Sequence, residues 1–98
     1  MKAVRFEWDE GNLEHTAKHG VTRHEIEHVL SNDPMVQPDP HPAEIEERWR
    51  AIGANAEGRL VFIVFTFRDT IETLTMRPIS ARYMHRKEVT KYERQRQE

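Results

Sequence analysis

Four arginines lie on or at the ends of predicted strands, where their side chains could stabilise the charge of a phosphate group. They are Arg48, Arg68, Arg77 and Arg82. A planar guanidinium can bind two phosphate oxygens at once, and it remains charged at neutral pH. Metal-independent cleavage of RNA needs such a group, because negative charge accumulates on the phosphate during the reaction. The alternative is that Arg48 and Arg68 are exposed strand residues or pair with Glu47 and Asp69.

RNA cleavage also needs a base that removes a proton from the 2′-hydroxyl and an acid that protonates the leaving 5′-oxygen. His19 is the best candidate for the acid, because an imidazole titrates near neutral pH and His19 lies at the C-terminal end of the first predicted helix. Capping the last carbonyl groups of that helix is an equally consistent role for His19. Glu47 could act as the base, or it could orient Arg48.

Two pairs of histidines have the i, i+4 spacing that can bind a metal ion on one helix face. They are His15 with His19 and His24 with His28. Each pair supplies only two ligands, and the chain has no Cys. Protein zinc sites use three or four protein ligands. We therefore predict no metal site and no cofactor.

Length and composition predict a single domain that spans residues 1–98, with 37% hydrophobic residues to form its core. Because the chain has no Cys, a disulfide scaffold and a Cys nucleophile are excluded. The longest apolar run, Leu60 to Phe65, is far shorter than the roughly 18 residues that a membrane span requires. No charged-then-apolar leader opens the sequence, so we expect a soluble cytoplasmic protein with no membrane partner.

The net charge of -2 hides an asymmetry along the chain. Residues 1–50 carry 6 Lys and Arg against 11 Asp and Glu, whereas residues 77–98 carry 7 Lys and Arg against 3 Glu. The basic C-terminal end, which includes Arg86, could contact phosphate groups. The alternative is a solvated helix surface with ion pairs at helical spacing.

The first third of the chain predicts a short strand from Arg5 to Trp8 and then two helices that meet at Gly20. Asp9 is a suitable N-cap for the first helix. Thr22 and Glu25 form a capping box for the second helix, and the sequence Asn-Asp-Pro ends it. These signals predict an N-terminal helical layer.

Strand patterns dominate the rest of the chain. Four of the five prolines lie between Pro34 and Pro42, so this segment is expected to be a connector or an edge strand. Extended patterns follow from Glu46 to Ile52, from Leu60 to Phe67 and from Ile71 to Ile79, and a polar helix is predicted from about Met84 to Arg96. The strand that begins at Leu60 is apolar on both faces and needs cover on both sides, for which the C-terminal segment and a partner protein are candidates.

Several short sequences of this chain occur together in one known family. They are Phe6-Glu7-Trp8-Asp9, Asn12, Lys18-His19-Gly20-Val21, Asp33-Pro34, Glu47-Arg48, Gly53, Arg68 and Ile79-Ser80-Ala81-Arg82. In this combination the chain resembles the BrnT toxins, the ribonuclease half of a bacterial toxin-antitoxin pair, over nearly its whole length.

The resemblance implies an α+β fold of the RelE type, in which helices pack on an antiparallel sheet of about four strands and a C-terminal helix follows. It also implies a metal-independent and ribosome-independent endoribonuclease that cleaves RNA and arrests growth. Its partner would be a BrnA-like antitoxin with a ribbon-helix-helix part. The toxin would meet DNA only through the antitoxin complex, which represses its own promoter.

The positions that match the family pattern are Lys18, His19, Glu47, Arg48, Arg68 and Arg82. Combined with the pattern of cationic residues, they lead us to predict a catalytic group of His19, Glu47, Arg68 and Arg82. The predicted RNA-binding group is Lys18, Arg48, Arg77 and Arg86.

Pro78 departs from the family pattern, which usually has a continuous apolar strand before the position of Ser80. Because proline has no N–H group to donate, the strand must lie at an edge there or end early. Two other functions fit the same sequence. One is a non-catalytic binding module that scaffolds a DNA-binding partner in transcriptional autoregulation, and the other is a regulator that contacts DNA directly.

Overall fold

The computed structural model describes residues 3–40 and 47–97, which form three helices and one five-stranded sheet. The helices are α1 (Glu10–Ala17), α2 (Arg23–Ser31) and α3 (Arg86–Gln97). The strands are β1 (Ala3–Phe6), β2 (Met35–Pro38), β3 (Trp49–Ala54), β4 (Leu60–Asp69) and β5 (Thr73–Tyr83). The predicted connector ends at Pro42, and the strand predicted after it begins at Glu46. Both residues lie outside the described residues. None of the three described helices is long and apolar enough to cross a membrane.

The sheet has the strand order β1-β5-β4-β3-β2. β1 runs parallel to β5, and the other neighbouring strands are antiparallel. The predicted α+β fold with a C-terminal helix is confirmed, but the prediction of an antiparallel sheet of about four strands is wrong, because the sheet is mixed and has five strands. The additional strand is β2, in the proline-rich segment. It lies at the sheet edge, where a residue that lacks an N–H group is tolerated.

The two N-terminal helices begin at the residues that the sequence predicted. Asp9 caps α1 and forms a capping box with Asn12, and Thr22 caps α2 and forms one with Glu25. Gly20 lies between the helices with a φ of 81°, a left-handed conformation that glycine adopts without steric cost. These local signals therefore set both the start of each helix and the turn between them.

α1 and α2 cover one face of the sheet, and the hydrophobic core lies between these helices and the sheet. α2 packs on β3 and β4, and α1 packs along β5. The close approach of α2 depends on Gly53, since a Cβ atom there would lie 2.9 Å from Cγ1 of Val29. The buried apolar residues of this core are Val21, Ile26, Val29, Leu30, Ala51, Val61, Ile63, Phe65 and Ala81.

β5 runs through Pro78 and does not end early. β1 pairs with β5 only as far as Met76, so Pro78 lies where β5 has no partner strand on that side. The carbonyl oxygen of Pro78 accepts a hydrogen bond from Asn12 of α1 on this side. The nitrogen and the carbonyl oxygen of one strand residue point to the same side, so the missing N–H group costs no bond to β4. The expected edge position of Pro78 is confirmed.

A bulge in β5 determines which side chains share a face of the sheet. Val64 pairs with Ser80 and Phe65 pairs with Pro78, so Ile79 is an extra residue in β5. Without the bulge, strict alternation would place Arg77 and Arg82 on opposite faces. Their partners Thr66 and Phe62 are an even number of residues apart on β4, so both arginines lie on the face opposite α1 and α2.

α3 lies over one end of that second face. Arg82 donates hydrogen bonds of 2.7 and 2.8 Å to the two carboxylate oxygens of Glu88. Glu88, the third residue of α3, also accepts a hydrogen bond from the backbone N–H of His85, which is the bond that a Glu at this position makes in a capping box. The guanidinium of Arg82 lies 4.7 Å from the ring centroid of Phe62. These contacts fasten α3 to β4 and β5.

Candidate functional site

A cleft of about 420 Å³ lies on the second sheet face, and none of the described residues that line it belongs to α3. Its charged and hydroxyl-bearing residues are Glu7, Glu47, Thr66, Arg68, Thr75 and Arg77, and Trp49 and Phe67 complete the lining. We call this surface the arginine cleft. Two guanidinium groups and two carboxylates in one concave site form the kind of charged constellation that binds and cleaves a phosphodiester.

The register between β4 and β5 explains why Arg68 and Arg77 share the arginine cleft. Thr66 pairs with Arg77, and Arg68 pairs with Thr75. Paired residues share a face, as do residues two positions apart on one strand. Arg68 and Arg77 are therefore diagonal neighbours on the same face, with backbones roughly 7 to 8 Å apart. Two side chains at this separation can bind a single phosphate group.

A second cavity of about 310 Å³ adjoins the arginine cleft, and Arg77 lines both. We call it the side pocket. Its other lining residues are Gly11, Asn12, His15, Arg48 and Ile79. The side pocket thus adds a third guanidinium, from Arg48, and an imidazole, from His15, to the groups of the arginine cleft.

Arg77 is held by two carboxylates at the start of α1. Its Nη1 atom donates hydrogen bonds to Asp9 at 2.8 Å and to Glu7 at 3.2 Å. The hydrogen bond from Arg77 holds the pKa of Asp9 below its usual range, and the same bond raises the pKa of Arg77. Because Arg77 is anchored before any substrate binds, it can act on a phosphate with little loss of side-chain freedom.

Asn12 connects α1 to β5, the strand that carries Arg77. Its buried side-chain amide nitrogen donates to the carbonyl oxygens of Glu7 at 2.9 Å and Pro78 at 2.8 Å. Its side-chain oxygen accepts from the backbone N–H of Asp9 at 2.7 Å. The bond to Pro78 fixes the first turn of α1 against β5, and the other two contacts fix the segment that leads into the helix. His15, one turn later, lines the side pocket together with Arg77.

Four of the eight predicted site residues meet in this region. Glu47, Arg68 and Arg77 line the arginine cleft, and Arg48 lines the side pocket. Trp49 also lines the cleft, although its ring packs against the core and contacts Phe67 with centroids 5.4 Å apart.

The structure does not bring the other four predicted residues to the cleft or the side pocket. Lys18 and His19 are exposed in the turn after α1. Arg82 shares the face of Arg77, but its guanidinium is bound to Glu88 under α3. Arg86 is exposed at the first residue of α3. The first two are displaced because α1 ends at Ala17, and Lys18 is already its C-cap.

His15, Glu7 and two threonines of this site were not predicted as functional residues. His15 was considered only as half of a metal-binding pair with His19, and its place in the side pocket follows from the packing of α1 along β5. Glu7 belongs to the sequence Phe6-Glu7-Trp8-Asp9, which is part of the family resemblance. Because side chains alternate along a strand, its position next to Phe6 could have indicated that Glu7 lies on the second sheet face. The hydroxyls of Thr66 and Thr75 carry no sequence signal beyond their position in strands.

Residues 24–28 read His-Glu-Ile-Glu-His, which has the HExxH form of many zinc proteases. In that motif the first Glu acts on a metal-bound water. Here Glu25 accepts hydrogen bonds from the hydroxyl of Tyr83 at 2.7 Å and from Asn55 at 3.0 Å. Burial acts to raise the pKa of Glu25, but the bonds from Asn55 and Tyr83 lower it overall. Among the residues that the structure describes, no cluster of three or more His, Asp and Glu side chains could hold a metal ion. Glu25 therefore serves to fasten α2 to the sheet.

The chain is similar in fold to the crystal structure of the Brucella abortus ribonuclease toxin BrnT. The two chains superpose with a TM-score of 0.51 at 22% sequence identity, over 88% of this chain and 100% of the Brucella chain. No protein of curated function is similar enough in sequence to count as a match. A family model described as the ribonuclease toxin BrnT of type II toxin-antitoxin systems matches residues 8–88, which include all of the residues that line the side pocket. The chain therefore belongs to the BrnT family of ribonuclease toxins.

Proposed function

We propose that this chain is a metal-independent endoribonuclease toxin and that the arginine cleft, with the side pocket, is its active site. The observation that carries the proposal is the convergence of Arg48, Arg68 and Arg77 beside two carboxylates in a chain of a ribonuclease family. The guanidinium groups supply the charge stabilisation that an RNA phosphate needs during cleavage. The carboxylates and His15 supply groups that can accept and donate protons.

In the proposed reaction the 2′-oxygen of RNA forms a bond to phosphorus while the bond from phosphorus to the 5′-oxygen breaks. Glu47 takes the proton of the 2′-hydroxyl, because it lines the cleft with Arg68, whereas Glu7 is engaged by Arg77. His15 donates a proton to the leaving 5′-oxygen from the side pocket. Arg68 and Arg77 bind the phosphate oxygens, on which negative charge accumulates. The products are a 2′,3′-cyclic phosphate and a 5′-hydroxyl.

The earlier assignments of His19 and Arg82 as catalytic, and of Lys18 and Arg86 as RNA-binding, stay predictions. Their places outside the cleft make His15 and Arg77 the stronger assignments. RNA strands are longer than one cleft, so Lys18 and Arg86 remain candidates for contacts with flanking phosphates.

We further propose that the toxin acts in the cytoplasm, arrests growth by cleaving RNA without the ribosome, and is neutralised by a BrnA-like antitoxin. A type II toxin family implies an antitoxin partner. In the proposed pair, DNA is bound by the ribbon-helix-helix part of the antitoxin, and the toxin meets DNA only in the complex. The RelE type of fold is part of the same proposal.

Incubation of the purified protein with a defined RNA in EDTA tests the proposal. We expect cleavage to continue in EDTA, to yield 2′,3′-cyclic phosphate ends, and to stop when the RNA is 2′-O-methylated, because that RNA has no 2′-hydroxyl to attack phosphorus. Loss of cleavage in EDTA, or cleavage of the 2′-O-methyl RNA, would contradict the mechanism. A folded protein that binds the antitoxin but cleaves no RNA would instead favour the non-catalytic scaffold.

A further inference from the structure

A third cavity, of about 290 Å³, lies between α3 and the second sheet face, away from the arginine cleft. We call it the α3 cavity. Arg50 of β3 and Lys91 of α3 line it together with the apolar side chains of Met35, Ile52 and Phe62. None of these residues lines the arginine cleft or the side pocket. The α3 cavity is therefore a separate site that the proposed RNA cleavage does not use.

The charges in the α3 cavity are not balanced by the described residues that line it. Glu88 is the single carboxylate among those lining residues, and both of its oxygens accept hydrogen bonds from Arg82. The hydrogen bond from Arg82 is the main reason that the pKa of Glu88 falls to about 2, so this carboxylate is committed to that pair. Arg50 and Lys91 thus contribute two positive charges to the cavity, and among its described lining residues no other carboxylate offsets them.

The side chain of Arg50 also contains an unsatisfied donor. Its Nε atom is buried and has no hydrogen-bond partner among the residues that the structure describes. Buried polar groups of folded proteins nearly always have a hydrogen-bond partner. A buried group without one lowers the stability of the protein, and the cost is largest for charged groups. Because Arg50 lines the open cavity, its guanidinium can pair with an acceptor that another molecule brings there.

We propose that the α3 cavity binds a carboxylate side chain, Asp or Glu, in an apolar segment of the antitoxin. The carboxylate would accept hydrogen bonds from Arg50 and attract Lys91, and neighbouring apolar side chains would contact Met35, Ile52 and Phe62. Charge complementarity selects an acidic partner, because residues 77–98 carry 7 Lys and Arg against 3 Glu. The apolar walls favour a protein segment over RNA, whose backbone would bring charged phosphates against Ile52 and Phe62.

The inference rests on the proposed antitoxin partner but not on RNA cleavage. Its test is the affinity of the purified toxin for the co-expressed antitoxin, measured for Arg50→Met and Lys91→Gln. Arg50→Met keeps much of the side-chain volume and removes the unsatisfied donor, so the free variant is expected to be at least as stable as the wild type. Arg94→Gln is the matched control, because Arg94 is exposed on α3 and does not line the cavity.

We expect Arg50→Met to weaken antitoxin binding by about 100-fold and Lys91→Gln by about 10-fold, whereas Arg94→Gln stays within about threefold of the wild type. RNA cleavage by the free Arg50→Met variant is expected to be unchanged. The antitoxin would therefore no longer neutralise this variant, and growth of the cells that express both proteins would stop. A charge exchange completes the test, since Arg50→Glu should regain binding when the antitoxin carboxylate is replaced by Arg.

Wild-type affinity in Arg50→Met and Lys91→Gln would overturn the proposal. Equal weakening by Arg94→Gln would also overturn it, since the effect would then come from overall charge. Loss of RNA affinity in Arg50→Met with unchanged antitoxin affinity would assign the cavity to RNA instead. If Arg50→Met failed to fold, Lys91→Gln and Arg50→Lys would decide the question, because Arg50→Lys keeps the charge and removes the Nε donor.

Discussion

Asp9 accepts a hydrogen bond from Arg77 with one carboxylate oxygen, at 2.8 Å, and caps α1 with the other. The same side chain therefore joins the start of a helix to a guanidinium of the proposed active site. Any change that moves the first turn of α1 will move Arg77 as well. Asp9 therefore has two roles, as the cap of α1 and as a partner of Arg77, and substitutions of Asp9 can distinguish them.

Asp9→Asn and Asp9→Ala should differ in stability but agree in activity. Asn is a good N-cap, so Asp9→Asn is expected to keep a melting temperature close to that of the wild type, whereas Asp9→Ala should lower it. Both variants remove one of the two charged partners of Arg77 and leave Glu7, and RNA cleavage should fall in both. Melting curves and cleavage rates from one preparation check this. Wild-type cleavage by Asp9→Asn would show that the pairing with Arg77 has no role in activity.

The pair of Arg82 and Glu88 should make stability depend on acid pH. The pKa of Glu88 is about 2 in the folded protein because Arg82 donates to it, compared with 4.5 when unperturbed. A folded pKa below the unfolded pKa means that the stabilisation is complete above about pH 4.5 and is lost as the pH falls towards 2. Both side chains are one-third exposed, so solvent screening reduces the effect.

Denaturation of the wild type and Glu88→Gln at several pH values measures the contribution of this pair. We expect the difference in the free energy of unfolding between the two proteins to be largest near neutral pH and to shrink below about pH 4. A difference that stays constant down to about pH 2.5 would mean that the pair does not stabilise α3 in this way.

His15 and His19 allow a direct comparison of two candidate acids. His15 lines the side pocket, and His19 lies in the exposed turn after α1. We expect His15→Gln to lower the cleavage rate by about 100-fold and to change the pH profile, because it removes the proton donor. His19→Gln is the matched control and should retain activity. The opposite ranking would return the acid role to His19, as the sequence first suggested.

Asn12 should be one of the most sensitive positions for stability. It is 4% exposed, and its side chain bonds to backbone groups of Glu7, Asp9 and Pro78. Asn12→Ala leaves these groups without partners, which should lower the free energy of unfolding by about 2 kcal/mol or more. Chemical denaturation measures the loss. A loss close to that of an exposed substitution such as Glu14→Ala would contradict the role of Asn12 as the connector between α1 and β5.

The local parts of the fold were predictable because their signals are local. The caps at Asp9 and Thr22 and the turn at Gly20 depend on residues a few positions apart. The parallel pairing of β1 with β5 joins residues about seventy positions apart, such as Phe6 and Met76, and no short pattern specifies it.

The site was half predicted for a similar reason. Arg68 and Arg77 could be recognised by type and by their place on strands, but their common face depends on the register of β4 and β5. The bulge at Ile79 brings Arg82 to that face too, but Arg82 pairs with Phe62, four residues along β4 from the partner of Arg77, and its guanidinium is bound to Glu88. His15 gained its place only through the packing of α1 along β5. Tertiary contacts, not residue types, decided which candidates meet.

The most direct test of the active-site assignment is the single-turnover rate of RNA cleavage by the Arg68→Ala/Arg77→Ala double variant. Circular dichroism must show that the variant is folded, and Arg94→Ala serves as the exposed-arginine control. The double variant should cleave RNA at least about 100-fold more slowly than the wild type, because Arg68 and Arg77 stabilise the phosphate. The cleavage rate of Arg94→Ala should stay within about threefold of the wild-type rate, because Arg94 does not contact the phosphate. A folded double variant that cleaves RNA at the wild-type rate would contradict the assignment of the arginine cleft.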